Sequence, residues 1–324
     1  MPEARRVYAG PPIGPAWSEA SPADGTGPAE PPDLVVVGVA SRDLIDRDPR
    51  GWRLGGSAAY CSLAAARLGL RVGCLLGVDD LAASAGELDW LTLAGVQLRR
   101  VALERGPVLE NIETDGHRRQ RWRSMSDPIP LAALPGEWRA TKGWLLVPIA
   151  GELPDDWATA APADARVGLG WQGLLREFGA DGWMKRRRPA ASPFARRAGL
   201  VCASVDDLPP DFELAELKRL AAGATIVVTA GAHGGLAIEG SRLIRYRALA
   251  ADGVEDPTGA GDVFLAALMV AWLTTGELAT PRNLLFAAAC GSLAVGGVGL
   301  AGVPSKAAVA SRLGRGAASD RSPS

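Results

Sequence analysis

Two rhythms of apolar residues alternate along this chain. Residues 33–39 form a continuous run rich in leucine and valine, the pattern of a strand buried on both faces. Further short strands are expected at 71–76, 98–103, 144–147, 165–169, 200–202 and 225–229. Between them lie helical patterns: small residues at 57–68, a helix running to about 93 with Asp79 or Asp80 as its cap, and segments at 155–161, 214–222 and 282–295. Residues 108–114 and 118–123 flank Asp115-Gly116, a hairpin signal. This alternation predicts a mostly parallel sheet with helices on both faces. Ligands of such sheets bind beyond the carboxyl ends of the strands. The glycine-rich turns after Val39, Leu54 and Thr229 are therefore candidate binding loops.

The two ends differ from the body. Residues 1–32 hold few large apolar residues and many breakers, and are expected to be disordered. The tail 315–324 reads the same way, leaving 33–314 as one domain without an internal repeat. Residues 1–32 contain no apolar signal core, and the longest apolar runs, such as 263–273, are far short of a membrane span. A soluble, cytoplasmic protein is expected.

Composition narrows the chemistry. At 324 residues and 48% hydrophobic, the chain can bury a sizeable core. A formal net charge of −1 gives no long-range pull on nucleic acid or anionic membrane, so neither is an expected partner. The basic run Lys185-Arg186-Arg187-Arg188 reads as a solvated face. Four scattered cysteines without a C-x-x-C pair read as reduced core residues. Two histidines are too few for a His-rich metal site and weaken any Ser-His-Asp arrangement.

The densest chemical signal is Asp256-Pro257-Thr258-Gly259-Ala260-Gly261-Asp262-Val263-Phe264, followed by the apolar run 265–273. Small residues at a helix start let backbone N–H groups converge, and the helix end attracts anions such as phosphate. Gly259, Ala260 and Gly261 are the candidate anion cradle, and Asp262 is a carboxylate in the first helical turn beside it. An anion cradle next to a carboxylate can move a phosphoryl group onto an alcohol. The carboxylate takes the alcohol proton, and the cradle holds the charge that builds on phosphate.

This nine-residue string resembles the C-terminal signature of the PfkB (ribokinase-like) carbohydrate kinases, roughly D-[TP]-x-G-A-G-D-x-F, with every fixed position met. Leu54-Gly55-Gly56-Ser57-Ala58-Ala59-Tyr60 and the following 64–69 resemble the family's N-terminal glycine pair and small-residue helix; many members carry Asn where Tyr60 stands. Val227 to Gly235 resembles its nucleotide-side loop, a strand ending in Thr followed by Gly-x-x-Gly. Asp43, shortly after the first strand, has the spacing of the family's hydroxyl-binding Asp. Together these span about 33–313. The forms at 54–59, 203–204 and 256–262 look like the inositol-kinase-like branch, and Gln172 to Arg176 resembles a Q-G-x-x-R segment in that group.

The resemblance implies a three-layer α/β/α sandwich. It implies an ATP-dependent kinase that transfers the γ-phosphoryl group to a hydroxyl of a sugar or inositol-like cyclic polyol, with Asp262 as general base. Asp43, Gly55, Gly56 and Ser57 would hold this substrate. Thr229, Gly231, Gly234, Thr258, Ala288 and Ser292 would line the nucleotide side. Two departures shape further expectations. The family's N-x-x-E segment, which organises Mg²⁺ through water, is Ser204-Val205-Asp206-Asp207 here, leaving Asp207 either an outer Mg²⁺ ligand or a helix-start acid. The segment between Asp43 and Gly55 is too short for ribokinase lid strands, so the lid is expected to be reduced or absent, with cover supplied by the 108–123 hairpin. A monovalent-cation site near Asp256 is a further candidate. A monomer, or a dimer by another interface, follows from the short lid. A nucleoside kinase of the same family, or a non-catalytic sensor on the same fold, are the alternative functions.

Overall fold

The computed structural model describes residues 30–46, 48–114 and 117–319. Asp115 and Gly116, and nearly all of the N-terminal stretch 1–32, lie outside them. In chain order the strands are β1 Leu34–Val39, β2 Ser41–Leu44, β3 Trp52–Gly55, β4 Val72–Val78, β5 Gln97–Ala102, β6 Val108–Thr114, β7 His117–Ser124 and β8 Gly143–Leu146. They continue with β9 Arg166–Gly170, β10 Arg176–Phe178, β11 Met184–Arg186, β12 Leu200–Ser204, β13 Thr225–Thr229, β14 Gly235–Glu239 and β15 Arg242–Tyr246. The helices are α1 Ser57–Arg67, α2 Asp80–Ala83, α3 Glu87–Leu93, α4 Pro193–Arg197, α5 Leu214–Leu220, α6 Ala260–Thr275, α7 Pro281–Ala294 and α8 Lys306–Ser319.

Nine strands form the main sheet in the order β15-β14-β13-β12-β9-β8-β1-β4-β5. All neighbours from β13 to β5 are parallel, and β14 and β15 extend that edge antiparallel. Each side chain of β1 alternates between two cores. Leu34 and Val36 join α1, α6 and α7 on one face, whereas Val35, Val37 and Val39 join Trp144, Trp157 and Trp171 on the other. Both faces are covered, as the three-layer expectation requires. From β1 the chain first builds toward β5 and only later returns to β8, so the order reverses between β1 and β8. The carboxyl ends beside that reversal are where such sheets bind ligands.

A second sheet of four strands, β3-β2-β6-β7, stands over these carboxyl ends. The expected cover from the 108–123 hairpin is part of this sheet, which also takes in β2 and β3. The segment after Asp43 does make only a short hairpin, but β2 pairs parallel with β6, and the 108–124 hairpin doubles the sheet. The link is long-range in sequence, so local spacing did not show it. Arg42 on β2 fastens the small sheet to the main one through Asp79, 2.8 Å away at the end of β4.

Two other differences are local. The helix expected through residue 93 is split, since Asp79 caps only the short α2, accepting from the Ala82 amide at 2.8 Å, and α3 starts anew. Helix α8 runs to Ser319, into the tail expected to be disordered. Its Arg312 reaches back to Asp252 at 2.8 Å and to the Ala250 carbonyl. Among the described residues, no helix is long and apolar enough to cross a membrane.

Candidate active site

Helix α6 opens at Gly259, whose backbone is left-handed with φ 79°. A side chain there would be strained by that φ and would collide with the Tyr60 ring packed over it. The turn spends few of its donors on the protein. The Ala260 amide makes a long 3.4 Å contact with the Pro257 carbonyl. Among the described residues, the amides of Gly259, Gly261 and Asp262 have no protein acceptor. Gly261 is exposed, so the cradle faces outward. Unspent donors at the positive end of a 16-residue helix are a site for an anion.

The residues expected on the acceptor side lie on β2, β3 and α1. Asp43 is buried at 8% exposure, and the Ser41 hydroxyl donates to its Oδ1 at 2.8 Å. Gly55 lies directly across the β2–β3 hairpin. A Cβ there would sit 2.5 Å from Asp43 Oδ2 and 2.7 Å from Ser41 Oγ, so only glycine leaves the carboxylate its place. Gly56 has φ 102° and presses against the backbone of Val39 and Ala40, turning the chain straight into α1. Ser57, expected on the substrate, donates its hydroxyl to Asp262.

Asp262 is thereby brought into the same cluster as Asp43. Burial pushes its carboxyl up to about 6, and the charges of Asp207 and Asp43 push the same way. The Ser57 hydrogen bond and the Arg176 guanidinium pull it down. A carboxyl near 6 is mostly ionised at neutral pH and still a competent proton acceptor. The neighbours agree with this crowding. Burial first, then the charges of Asp43, Asp256 and Asp262, push the Tyr60 phenol far up, and burial with Asp262 does the same to the Cys61 thiol.

Arg176 is the group that sequence spacing only hinted at. Its Nε and Nη2 lie 2.8 and 2.6 Å from Asp207 Oδ1. Asp207 is 2% exposed. That oxygen is spent on a guanidinium, which leaves only Oδ2 of Asp207 for the outer Mg²⁺ role considered for it. A buried carboxylate paired with arginine positions the arginine. The divalent ion of such a reaction would enter with the phosphates of its donor.

The nucleotide-side residues fall in two groups. Thr229 ends β13 and its hydroxyl reaches the Ala203 carbonyl at 3.4 Å. Gly231 is exposed in the turn that follows, and Gly234 is buried against the backbone of Tyr246 and Arg247. Ala288 and Ser292 lie on α7, where the Ser292 hydroxyl bonds the Ala289 carbonyl at 3.0 Å. Gly291 of the same helix faces the first turn of α6. Thr258 lies in the cradle turn, its amide bonded to Asp256 Oδ1 at 2.9 Å. Among the described residues, no hydrogen bond joins either of the first two groups to Asp262.

Asp256, read from the sequence as a signature residue and a candidate cation ligand, has protein partners of its own, and Glu152 escaped sequence reasoning. Asp256 accepts from Arg53 and from the Gly299 amide in addition to Thr258. Glu152 is fully buried where β1 and β8 end, with the amides of Ile149 and Ala150 at 3.1 and 2.7 Å. Glu152 stands in no pattern that a one-dimensional reading could separate from an ordinary loop acid.

Comparison with known proteins agrees with this geometry. Residues 210–307 match the family described as pfkB family carbohydrate kinase. No curated protein matches the chain. Among solved structures, a pyrophosphate-dependent myo-inositol-1 kinase, converted to a myo-inositol-3 kinase by two substitutions, is similar at 18% identity and TM-score 0.68, covering 87% of this chain and 99% of that one. A Methanocaldococcus jannaschii nucleoside kinase is similar at 19% identity and TM-score 0.67, covering 87% and 98%. An Arabidopsis thaliana ribokinase, solved with ribose and ATP, is similar at 20% identity and TM-score 0.64, covering 87% and 99%. These likenesses carry the fold, and the signature lies inside the matched segment. Over that segment the chain is similar to the pfkB carbohydrate kinases, and its fold is that of the ribokinase-like structures.

Proposed function

We propose that the chain transfers the γ-phosphoryl group of ATP to a hydroxyl of a sugar or inositol-like cyclic polyol, with Asp262 as general base. The observation that carries this reading is the pairing of a carboxyl near pKa 6 with unspent amides in one helical turn. Asp43 accepts hydrogen bonds from the acceptor's hydroxyls. Asp262 takes the proton of the attacking hydroxyl as its oxygen bonds to the γ-phosphorus. The bond from that phosphorus to the bridging oxygen breaks, and ADP leaves with the electron pair. The amides of Gly259, Gly261 and Asp262 hold the charge on the moving phosphoryl group. Mg²⁺ bound with the ATP phosphates would supply charge neutralisation there. Positioning and electrostatics supply most of the acceleration.

The inositol leaning rests on the glycine-pair and Q-G-x-x-R segments and on the likeness to the inositol kinase. ADP release over a panel of inositols, sugars and nucleosides tests it, with pyrophosphate as an alternative donor because that relative depends on it. Turnover on polyols carries the proposal. Preference for nucleosides moves it to the nucleoside-kinase reading. Tight binding of acceptor and ATP without turnover makes the chain a sensor.

A further inference from the structure

The cradle turn is held from behind by a cation of the chain's own. Asp256 stands three residues before Gly259, and both its oxygens point at N–H donors. Oδ1 accepts from the Thr258 amide at 2.9 Å, and Oδ2 accepts from the Gly299 amide at 3.1 Å and from Arg53 Nη1 at 3.3 Å. The Arg53 stem runs beneath Gly299, where a Cβ would come within 2.7 Å of its Cδ. Gly299 has φ 58°, so a glycine is suited to that place twice over. The amides of Glu255 and Asp256 bond the Val295 carbonyl at 2.8 and 3.2 Å, which ties the cradle turn to the 295–299 loop. Arg53 itself belongs to β3, opposite Asp43 in the hairpin register. Asp48 lies 4.0 Å from its Nε on the far side.

A monovalent cation near Asp256 does not fit this arrangement. Such an ion needs several oxygens aimed at one point, and here three N–H groups converge on the carboxylate, one of them carrying a full positive charge. An added cation at Asp256 would meet the guanidinium at close range. We propose that Arg53 stands in place of a monovalent cation at Asp256, and that it is a positioning residue for the anion cradle. The charge that orders the turn is covalently attached to the strand that also forms the acceptor site. Ordering of the cradle and seating of the small sheet are thus one event. This inference rests on the kinase reading for its kinetic arm only.

The test compares KCl with tetramethylammonium chloride at equal ionic strength, in wild type, Arg53→Ala and Arg53→Lys. Wild type turns over equally in both salts, within about twofold, and melts at the same temperature in both. Arg53→Ala loses roughly tenfold to a hundredfold in kcat, as expected for a misplaced reacting group, with a smaller change in acceptor KM. Millimolar guanidinium or K⁺ restores part of that loss, and Arg53→Lys retains most of the wild-type kcat. The melting temperature of Arg53→Ala rises in KCl relative to tetramethylammonium. Wild type that melts higher or turns over at least tenfold faster in KCl overturns the proposal, as does Arg53→Ala with undiminished kcat. Absence of turnover on every acceptor would overturn the kinase reading instead. The wild-type melting comparison then still decides the cation question: equal melting supports the proposal and a K⁺-specific rise overturns it.

Discussion

The Tyr60 ring lies flat against the backbone of Gly259, filling the space where any side chain at 259 would go. Tyr60 is the fourth residue of α1 and Gly259 stands at the start of α6, so the contact locks the two helices that carry Ser57 and Asp262. Gly259→Ala must therefore move the ring and also adopt a left-handed backbone at a non-glycine residue. Loss of kcat by about a hundredfold or more is expected, since a displacement of about 1 Å at the cradle is enough for that. Steady-state kinetics with folding checked by circular dichroism decides it. A folded Gly259→Ala protein with wild-type kcat would contradict the role of this turn.

Asp262 links activity and stability with opposite signs. As the proposed general base it must be ionised, so kcat/KM should fall on the acid side of about pH 6. Asp262→Asn should lose roughly 10² to 10⁴ in kcat while nucleotide affinity, read by calorimetry, stays within a few-fold. The folded-state pKa is raised above the unfolded value of 3.8, so the group's stabilising contribution is present at low pH and is lost as pH rises through about 6. Asp262→Asn should accordingly unfold at higher temperature than wild type at pH 8. The gain is about 1–2 kcal/mol after discounting for water at this partly open side chain, and it should vanish near pH 4. Equal melting of the two proteins at pH 8 would show that the carboxylate is not destabilised by burial.

The parts of this site that were legible in the sequence are those whose chemistry is local. The cradle and Asp262 stand in one helical turn, and Gly55 and Gly56 adjoin the strand end they serve, so spacing alone carries them. The main sheet was legible for the same reason, because runs such as 33–39 and 225–229 declare themselves by continuous apolarity. Only the 108–123 hairpin of the four-stranded sheet was legible, and the sheet as a whole was not. It depends on Arg42 to Leu44 pairing with Val108 to Glu110, which lie far apart in the chain, and both strands of the pair are mixed in polarity. The pairs Arg176–Asp207 and Arg53–Asp256 are hidden in the same way, since nothing in a sequence states which of many arginines faces which acid. Ser57 has a protein partner that the sequence did not show. Its position at the head of α1 was readable, but the hydroxyl's direction toward Asp262 follows from how α1 meets α6.

Glu152 is the test of how firmly the carboxyl ends of the strands are held. It is fully buried and paired to backbone amides of Ile149 and Ala150, with Val39 contributing from β1. Replacement by alanine removes the acceptor and leaves those N–H groups dry, which should cost about 3–5 kcal/mol. Glutamine keeps one acceptor oxygen but turns an NH₂ toward an amide, so an intermediate loss is expected. Denaturant unfolding at constant slope measures both. Burial raises this carboxyl, so its contribution too is lost as pH rises, and the gap between wild type and Glu152→Gln should narrow at alkaline pH. A Glu152→Ala protein within about 1 kcal/mol of wild type would mean that water reaches those amides.

Arg176 should be visible in the pH profile even if it never touches substrate. Its guanidinium holds Asp207 at 2.6 Å and lowers the pKa of Asp262, whereas the Asp207 charge raises it. Arg176→Met removes the lowering charge and leaves Asp207 buried without its partner, so both changes raise the pKa of Asp262. The acid limb of kcat/KM should move up from about 6 by roughly one pH unit. Activity should then fall far more at pH 6 than at pH 8. The double variant Arg176→Met with Asp207→Asn removes both charges and should bring the limb back toward its wild-type position, a non-additivity that pairs in contact display. A purely structural loss would lower activity by the same factor at every pH. An Arg176→Met profile with an unmoved acid limb would therefore remove Arg176 from the electrostatics of the base.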